Sequence, residues 1–120
     1  MQYNRINYDG RVFRSAGNTE NGEVSPETVF HYRQSGKIVT AVYSGGAILI
    51  GQLLATVDDE GRLDMRYHHV NTAGVLMTGT CISVPEVLPD GRLRLHEQWQ
   101  WTSGDGSSGS SVVEEVERPK

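Results

Sequence analysis

Arg92-Leu93-Arg94-Leu95-His96-Glu97-Gln98-Trp99-Gln100-Trp101 alternates along its whole length. In an extended chain, Arg92, Arg94, His96, Gln98 and Gln100 fall on one face, and Leu93, Leu95, Glu97, Trp99 and Trp101 on the other. Successive side chains of a strand point to opposite sides, so this is a strand with one wet face and one buried face. The rest of the chain is punctuated in a way that suits more of the same. Glycine-centred turns fall at Asp9-Gly10, Asn21-Gly22, Ser35-Gly36, Gly45-Gly46, Asp59-Glu60-Gly61, Ala73-Gly74, Asp90-Gly91 and Ser103-Gly104-Asp105-Gly106. A spacing of about a dozen residues is the rhythm of hairpin after hairpin. Glycine admits the positive φ that tight hairpin turns demand.

Between these turns the pattern predicts strands over 12–16, 28–34, 37–43, 47–57, 62–70, 76–84, 92–101 and 111–117. A further strand over 3–8 would pair with 12–16 across Asp9-Gly10, and the polar stretch 18–26 reads as a long loop. Helix is limited to a turn at 26–29 or near Glu114-Glu115. Leu63, Met65, Tyr67 and His69 oppose Asp64, Arg66, His68 and Val70. Gly51 and Gly79 inside strands predict a bend or bulge, and Pro85 and Pro89 an edge or corner. Segment 47–57 is apolar on both faces, so its outer side should meet a helix, the chain ends or another subunit. A meander of this kind hides its edges by closing on itself. The expectation is all-β: one domain over 1–120, an antiparallel up-and-down meander of about eight strands forming a calycin-like barrel. A barrel of that size is either filled by side chains or holds one small ligand.

Net charge is −4, from 11 Lys plus Arg against 15 Asp plus Glu, which argues against a nucleic-acid partner needing a basic face. Cys81 is the only cysteine, so no intramolecular disulfide forms and a reducing compartment is the natural reading. The first residues are polar and lack the apolar stretch of a signal peptide. Segment 47–57 is far too short and too interrupted to span a membrane. Together these predict a cytoplasmic protein with no membrane partner.

Glu97 is the leading site candidate, because alternation sets a carboxylate among Leu95, Trp99 and Trp101, where an ionised group is costly unless paired. It could anchor a ligand or shuttle a proton; the competing reading is a structural ion pair or hydrogen bond to an inward Arg33 or His69. Trp99, Trp101, Tyr32, Tyr43 and Tyr67 supply rings with polar tips suited to a ligand cavity, or simply to filling a barrel. The histidines are His31, His68, His69 and His96. His68 and His69 point to opposite faces and no metal-binding spacing occurs, so no metal site is expected, although a lone histidine stays open as a haem ligand. Cys81, mid-strand, reads as a small buried hydrophobe. Gly104 to Gly109 fits G-x-G-x-x-G, but the β-leaning Ser110-Ser111-Val112-Val113 follows it where a phosphate site needs a helix start, so it reads as a hairpin loop. No nucleophile elbow is present, and no catalytic residue or cofactor is assigned.

Tyr8-Asp9-Gly10-Arg11, Asn18 to Val24, Tyr43-Ser44-Gly45-Gly46, Leu88 to Arg92 and His96 to Gly106 together resemble a family of short bacterial proteins often labelled n-acetylglutamate synthase. The likeness runs from Tyr8 to Val116 and implies membership without any catalytic residue to carry over. The label conflicts with the residues. Acetyltransferases of that kind hold the acetyl-CoA pyrophosphate in a turn beginning with Arg or Gln at a helix start, and Trp101 stands where that residue belongs. By fold analogy the architecture also looks like the calycins, which include lipocalins, fatty-acid-binding proteins and avidins. The resulting expectation is a lumen that binds a small organic molecule, lined by Glu97, Trp99, Trp101, Tyr67 and His69, with Tyr32 and Tyr43 nearby. The alternatives are an enzyme, doing acid–base chemistry with Glu97 and a histidine or the acyl transfer of the synthase label, and a packed structural or oligomeric module such as a homodimer.

Overall fold

Hairpin follows hairpin through the computed structural model, which describes residues 6–116. The strands are β1 (Val12–Asn18), β2 (Val29–Ser35), β3 (Ile38–Gly45), β4 (Ile48–Val57), β5 (Leu63–Asn71), β6 (Leu76–Val87), β7 (Leu93–Trp101) and β8 (Ser108–Glu115). Each pairs antiparallel with the next, and β1 pairs with β8, so the sheet closes into a barrel in sequence order. Closure leaves no edge to be guarded. Seven of the eight turns read from sequence carry a glycine at positive φ. Gly22 is the exception, and there a Cβ would run into the side-chain amide of Asn18.

Alternation places the interior. Leu93, Leu95, Trp99 and Trp101 of β7 are buried, as are Leu63, Met65 and His69 of β5, Val39, Ala41 and Tyr43 of β3, and Phe13 of β1. Pro85, paired with Leu95 of β7, stands where β6 runs past β5, whose last pair is Leu63–Ser83, so it falls at the end of the β5 ladder rather than at an open edge.

One end of the barrel, the base, is sealed by packing and by a buried charge. Tyr32 lies against Phe13 and Tyr8, with ring centroids 4.9 and 5.9 Å away. The Tyr8 hydroxyl donates to the Gly61 carbonyl at 2.5 Å. Glu115 is 1 % exposed and accepts from Arg11 Nη1 at 2.6 Å and from the Leu93 N–H at 3.1 Å. Leu93 opens β7 beyond its last β8 pair, Arg94–Glu114, so the carboxylate stands in for a missing ladder partner.

Several expectations change at the strand ends. The proposed strand over 3–8 lies partly outside the described residues, and Ile6, Asn7 and Tyr8 are not strand. Tyr8 serves instead as part of the base. The stretch 26–29 holds a single turn, closed by the Thr28 N–H on the Ser25 carbonyl at 2.9 Å, and Glu114-Glu115 is strand. β8 begins at Ser108, so the hairpin loop is shorter than the glycine-rich run suggests.

Gly51 and Gly79 mark no bulge at their own positions: the shifts lie at Ser15/Gly17, Tyr43/Gly45 and Ile48/Ile50. They are seats for rings. Tyr43 pairs with Gly51, Tyr67 with Gly79 and Trp99 with Gly109. A Cβ at any of the three glycines would meet the ring of its cross-strand partner. An aromatic folded over a facing glycine covers backbone that would otherwise lack packing. At Gly79 the added carbon would also come within 2.8 Å of the Gln100 carbonyl, which cannot move alone. Gly79→Ala should therefore cost about 1–3 kcal/mol. Gly17→Ala, where nothing lies within 4 Å, should change stability by less than about 0.5 kcal/mol. Urea midpoints compare the two, and equal effects would rule out the seat.

Outward from β3, β4 and β6, the side chains of Val42, Leu49, Ile50, Leu54, Leu76 and Ile82 are exposed. Among the described residues no helix covers them; the chain ends, the second covering expected of segment 47–57, lie largely outside the described residues. No helix among these residues is long and apolar enough to cross a membrane.

Candidate functional site

At the opposite end from Tyr8 and Glu115 the barrel opens into a cavity beneath a strap, residues 19–28, that links β1 to β2. Hydrogen bonds tie the strap across the mouth. Trp101 Nε1 donates to the Asn21 carbonyl at 3.1 Å, and Asn21 Nδ2 to the Ser108 carbonyl at 2.8 Å. On the other side Glu23 meets His69 Nε2 at 2.8 Å and Asn71 Nδ2 at 3.1 Å. Asn18 Nδ2 donates to the Val24 carbonyl at 2.9 Å, and its Oδ1 is buried without a partner among the described residues.

Glu97, Trp99, Trp101, Tyr67, His69 and Tyr43 all line this cavity, together with Asn18, Glu23, Phe30, Met65, Cys81 and Ser111. Tyr32 does not; two residues beyond Phe30 along β2, it belongs to the base, beside Phe13 and Tyr8. The volume open to the centre of a water molecule is about 50 Å³, room for a few waters. The rings crowd the wall: Trp99–Trp101 centroids are 5.4 Å apart and Tyr67–Trp101 5.8 Å, both inclined.

Glu97 keeps some accessible surface, yet protein surrounds it; the accessible part belongs to the cavity wall. Its partners are two hydroxyls, Ser111 Oγ at 3.1 Å and Ser83 Oγ at 3.2 Å. Neither expected ion-pair partner is there. Arg33 points outward, 80 % exposed and 3.4 Å from Asp9, because it occupies the wet phase of β2. His69, 2 % exposed, is taken up by Glu23 and by the Tyr43 hydroxyl, 3.0 Å from its Nδ1. Desolvation pushes the Glu97 carboxyl up to about 7, against the downward pull of the two hydroxyls. Burial likewise raises the Tyr43 and Tyr67 phenols and the Cys81 thiol, so they stay neutral. Near pH 7 Glu97 is therefore poised between acid and carboxylate in a cavity of neutral rings.

His31, His68 and His96 stand on the outer surface, and His96 Nε2 lies 2.8 Å from Glu86. Among the described residues no three His, Cys, Asp or Glu side chains gather as a metal site. Cys81 is buried, in keeping with its reading as a small hydrophobe.

Sequence reasoning missed Ser83, Ser111, Glu23 and Asn18. The two serines had a signal, since Ser83 and Ser111 pair directly with Glu97 from either side. Only the strand register exposes it. Glu23 had none beyond its place in a polar loop.

Residues 6–116 match a family model described as Avidin-like protein. No curated protein matches the chain in sequence. The match gives no support to the synthase label, and Trp101 to Gly106 runs from a strand into a hairpin loop that leads to β8, with no helix start for a pyrophosphate.

Proposed function

The chain belongs to the avidin-like protein family, and on that premise we propose that it binds a small organic molecule in the cavity under the strap. Glu97 and His69 orient the ligand, while Trp99, Trp101, Tyr67 and Tyr43 provide contact area. Tyr32 is left out of this set, since it sits at the base. The observation that carries the reading is the convergence on one cavity of a group of inclined rings and a carboxylate enclosed by protein that has no ion pair among the described residues. A largely apolar pocket with a few convergent polar groups is the usual form of a small-molecule site.

The free space sets a size rule. Pockets for drug-sized ligands measure about 300–1,000 Å³, so a ligand as large as biotin enters only if the strap lifts. Native mass spectrometry of protein purified from its own host, followed by titration of biotin against tryptophan fluorescence, tests the reading. A co-purifying small molecule, or a saturable change in Trp99 and Trp101 emission, is the expected result. Bare protein that responds to neither biotin nor the smaller probes below would overturn it. A homodimer through the outer face of β4 is the companion proposal, resting on exposed Ile50 and Leu54; gel filtration at monomer size would end it.

A further inference from the structure

We infer that the lumen is built for a small organic cation, a guanidinium or alkylammonium group held by Glu97 and the free carbonyl of Asn18 against the rings of Trp99, Trp101 and Tyr67. The inference rests on the lumen-binding reading and names its ligand class. The wall is rich in acceptors. Glu97 and Glu23 contribute carboxylates, and among the described residues Asn18 Oδ1 is a buried acceptor without a donor and neither arginine nor lysine lines the cavity. Many of the wall's donors are already engaged: Trp101 Nε1 on Asn21, the His69 ring on Tyr43 and Glu23, and Ser111 on Glu97. A ligand made only of donors finds partners here, whereas one presenting acceptors finds few.

Charge and size point the same way. Aromatic faces attract cations through the ring quadrupole, most strongly where water is excluded. Among the described residues ionised Glu97 has two neutral hydroxyls and no cation beside it, so a bound cation would supply the missing charge partner. About 50 Å³ accommodates a group of only a few non-hydrogen atoms.

Guanidinium and urea are planar and nearly alike in shape but differ in charge. Each is titrated at constant ionic strength while the indole N–H signals of Trp99 and Trp101 are followed by NMR, with circular dichroism confirming the fold. At pH 8 guanidinium should half-saturate at a concentration at least about tenfold below urea, the effect of one gained charge pair. That preference should fall by about tenfold at pH 5.5, where Glu97 is protonated. The other titratable groups facing Glu97 are Tyr8, Tyr32, Tyr43, Tyr67 and Cys81, all kept neutral by burial, so they add no charge change in this window. Glu23 and His69 face the cavity from the mouth, paired with each other. Glu97→Gln should show at pH 8 what the wild type shows at pH 5.5, and Glu23→Gln should keep most of the pH dependence.

Urea binding as tightly as guanidinium, or a cation preference that survives Glu97→Gln, overturns the inference and leaves the lumen-binding reading standing. Silence from both probes overturns it too. If a neutral molecule then co-purifies or biotin still binds, the lumen reading survives alone; if neither happens, both fall.

Discussion

Glu97→Gln should stabilise the protein by about 3 kcal/mol at pH 8.5 and leave it nearly unchanged at pH 4. A carboxyl that titrates near 4.5 when unfolded and near 7 when folded binds its proton more tightly in the folded state. Between those values the folded form carries the extra proton, so stability falls as pH rises, at about 1.4 kcal/mol per unit. Above 7 both states are ionised and the loss is complete; below 4.5 both are protonated and there is none. Glutamine keeps the shape and an acceptor for Ser83 or Ser111 but never ionises. Thermal unfolding of both proteins across this range is the measurement. The midpoints should coincide at low pH and separate by on the order of 10 °C at high pH. A gap that does not change with pH would show that another group carries the titration.

Glu115→Ala at the base should cost about 3–5 kcal/mol, because it takes the buried carboxylate from Arg11 Nη1 and from the Leu93 N–H together, leaving Arg11, among the described residues, only its Nε bond to the Asn7 carbonyl. Glu115→Gln should lose less, since its amide oxygen can still accept from Leu93 while the charge attraction to Arg11 is gone. Urea denaturation at pH 7 ranks them. An alanine variant within about 1 kcal/mol of wild type would mean that water replaces the carboxylate, as it does for exposed pairs. The surface pairs Arg66–Asp64 and Arg62–Asp58 are controls of that kind.

Much of the barrel was legible because its rules are local. Alternation along Leu93 to Trp101 and glycine at positive φ in the hairpins are written in consecutive residues, and they placed Glu97, Trp99, Trp101, Tyr67 and His69 on one inner surface. What was lost depends on register and height along the barrel axis. Ser83 and Ser111 face Glu97 only once β6 and β8 are set against β7. Tyr32 shares the inward phase of Tyr43 yet lies at the other end, a difference that period two does not encode. The glycine seats were hidden for the same reason. Gly51 and Gly109 look like weak points along their own strands, and only the facing strand supplies the ring.

Closure of the sheet by β1 on β8 has a further consequence. The Val116 N–H donates to the Val12 carbonyl at 2.8 Å, so the path that leaves β8 lies beside the one that begins β1. The fold is thus a circuit, and its first strand is first only by convention. A peptide link from β8 to β1, with the chain opened at Ala73-Gly74, would preserve every ladder and leave the base, with its Tyr8–Gly61 hydrogen bond, intact. Opening it instead within residues 19–28 would keep the ladders but sever the cover of the mouth. Of the connections in this ring, the strap is the one that architecture alone does not make interchangeable.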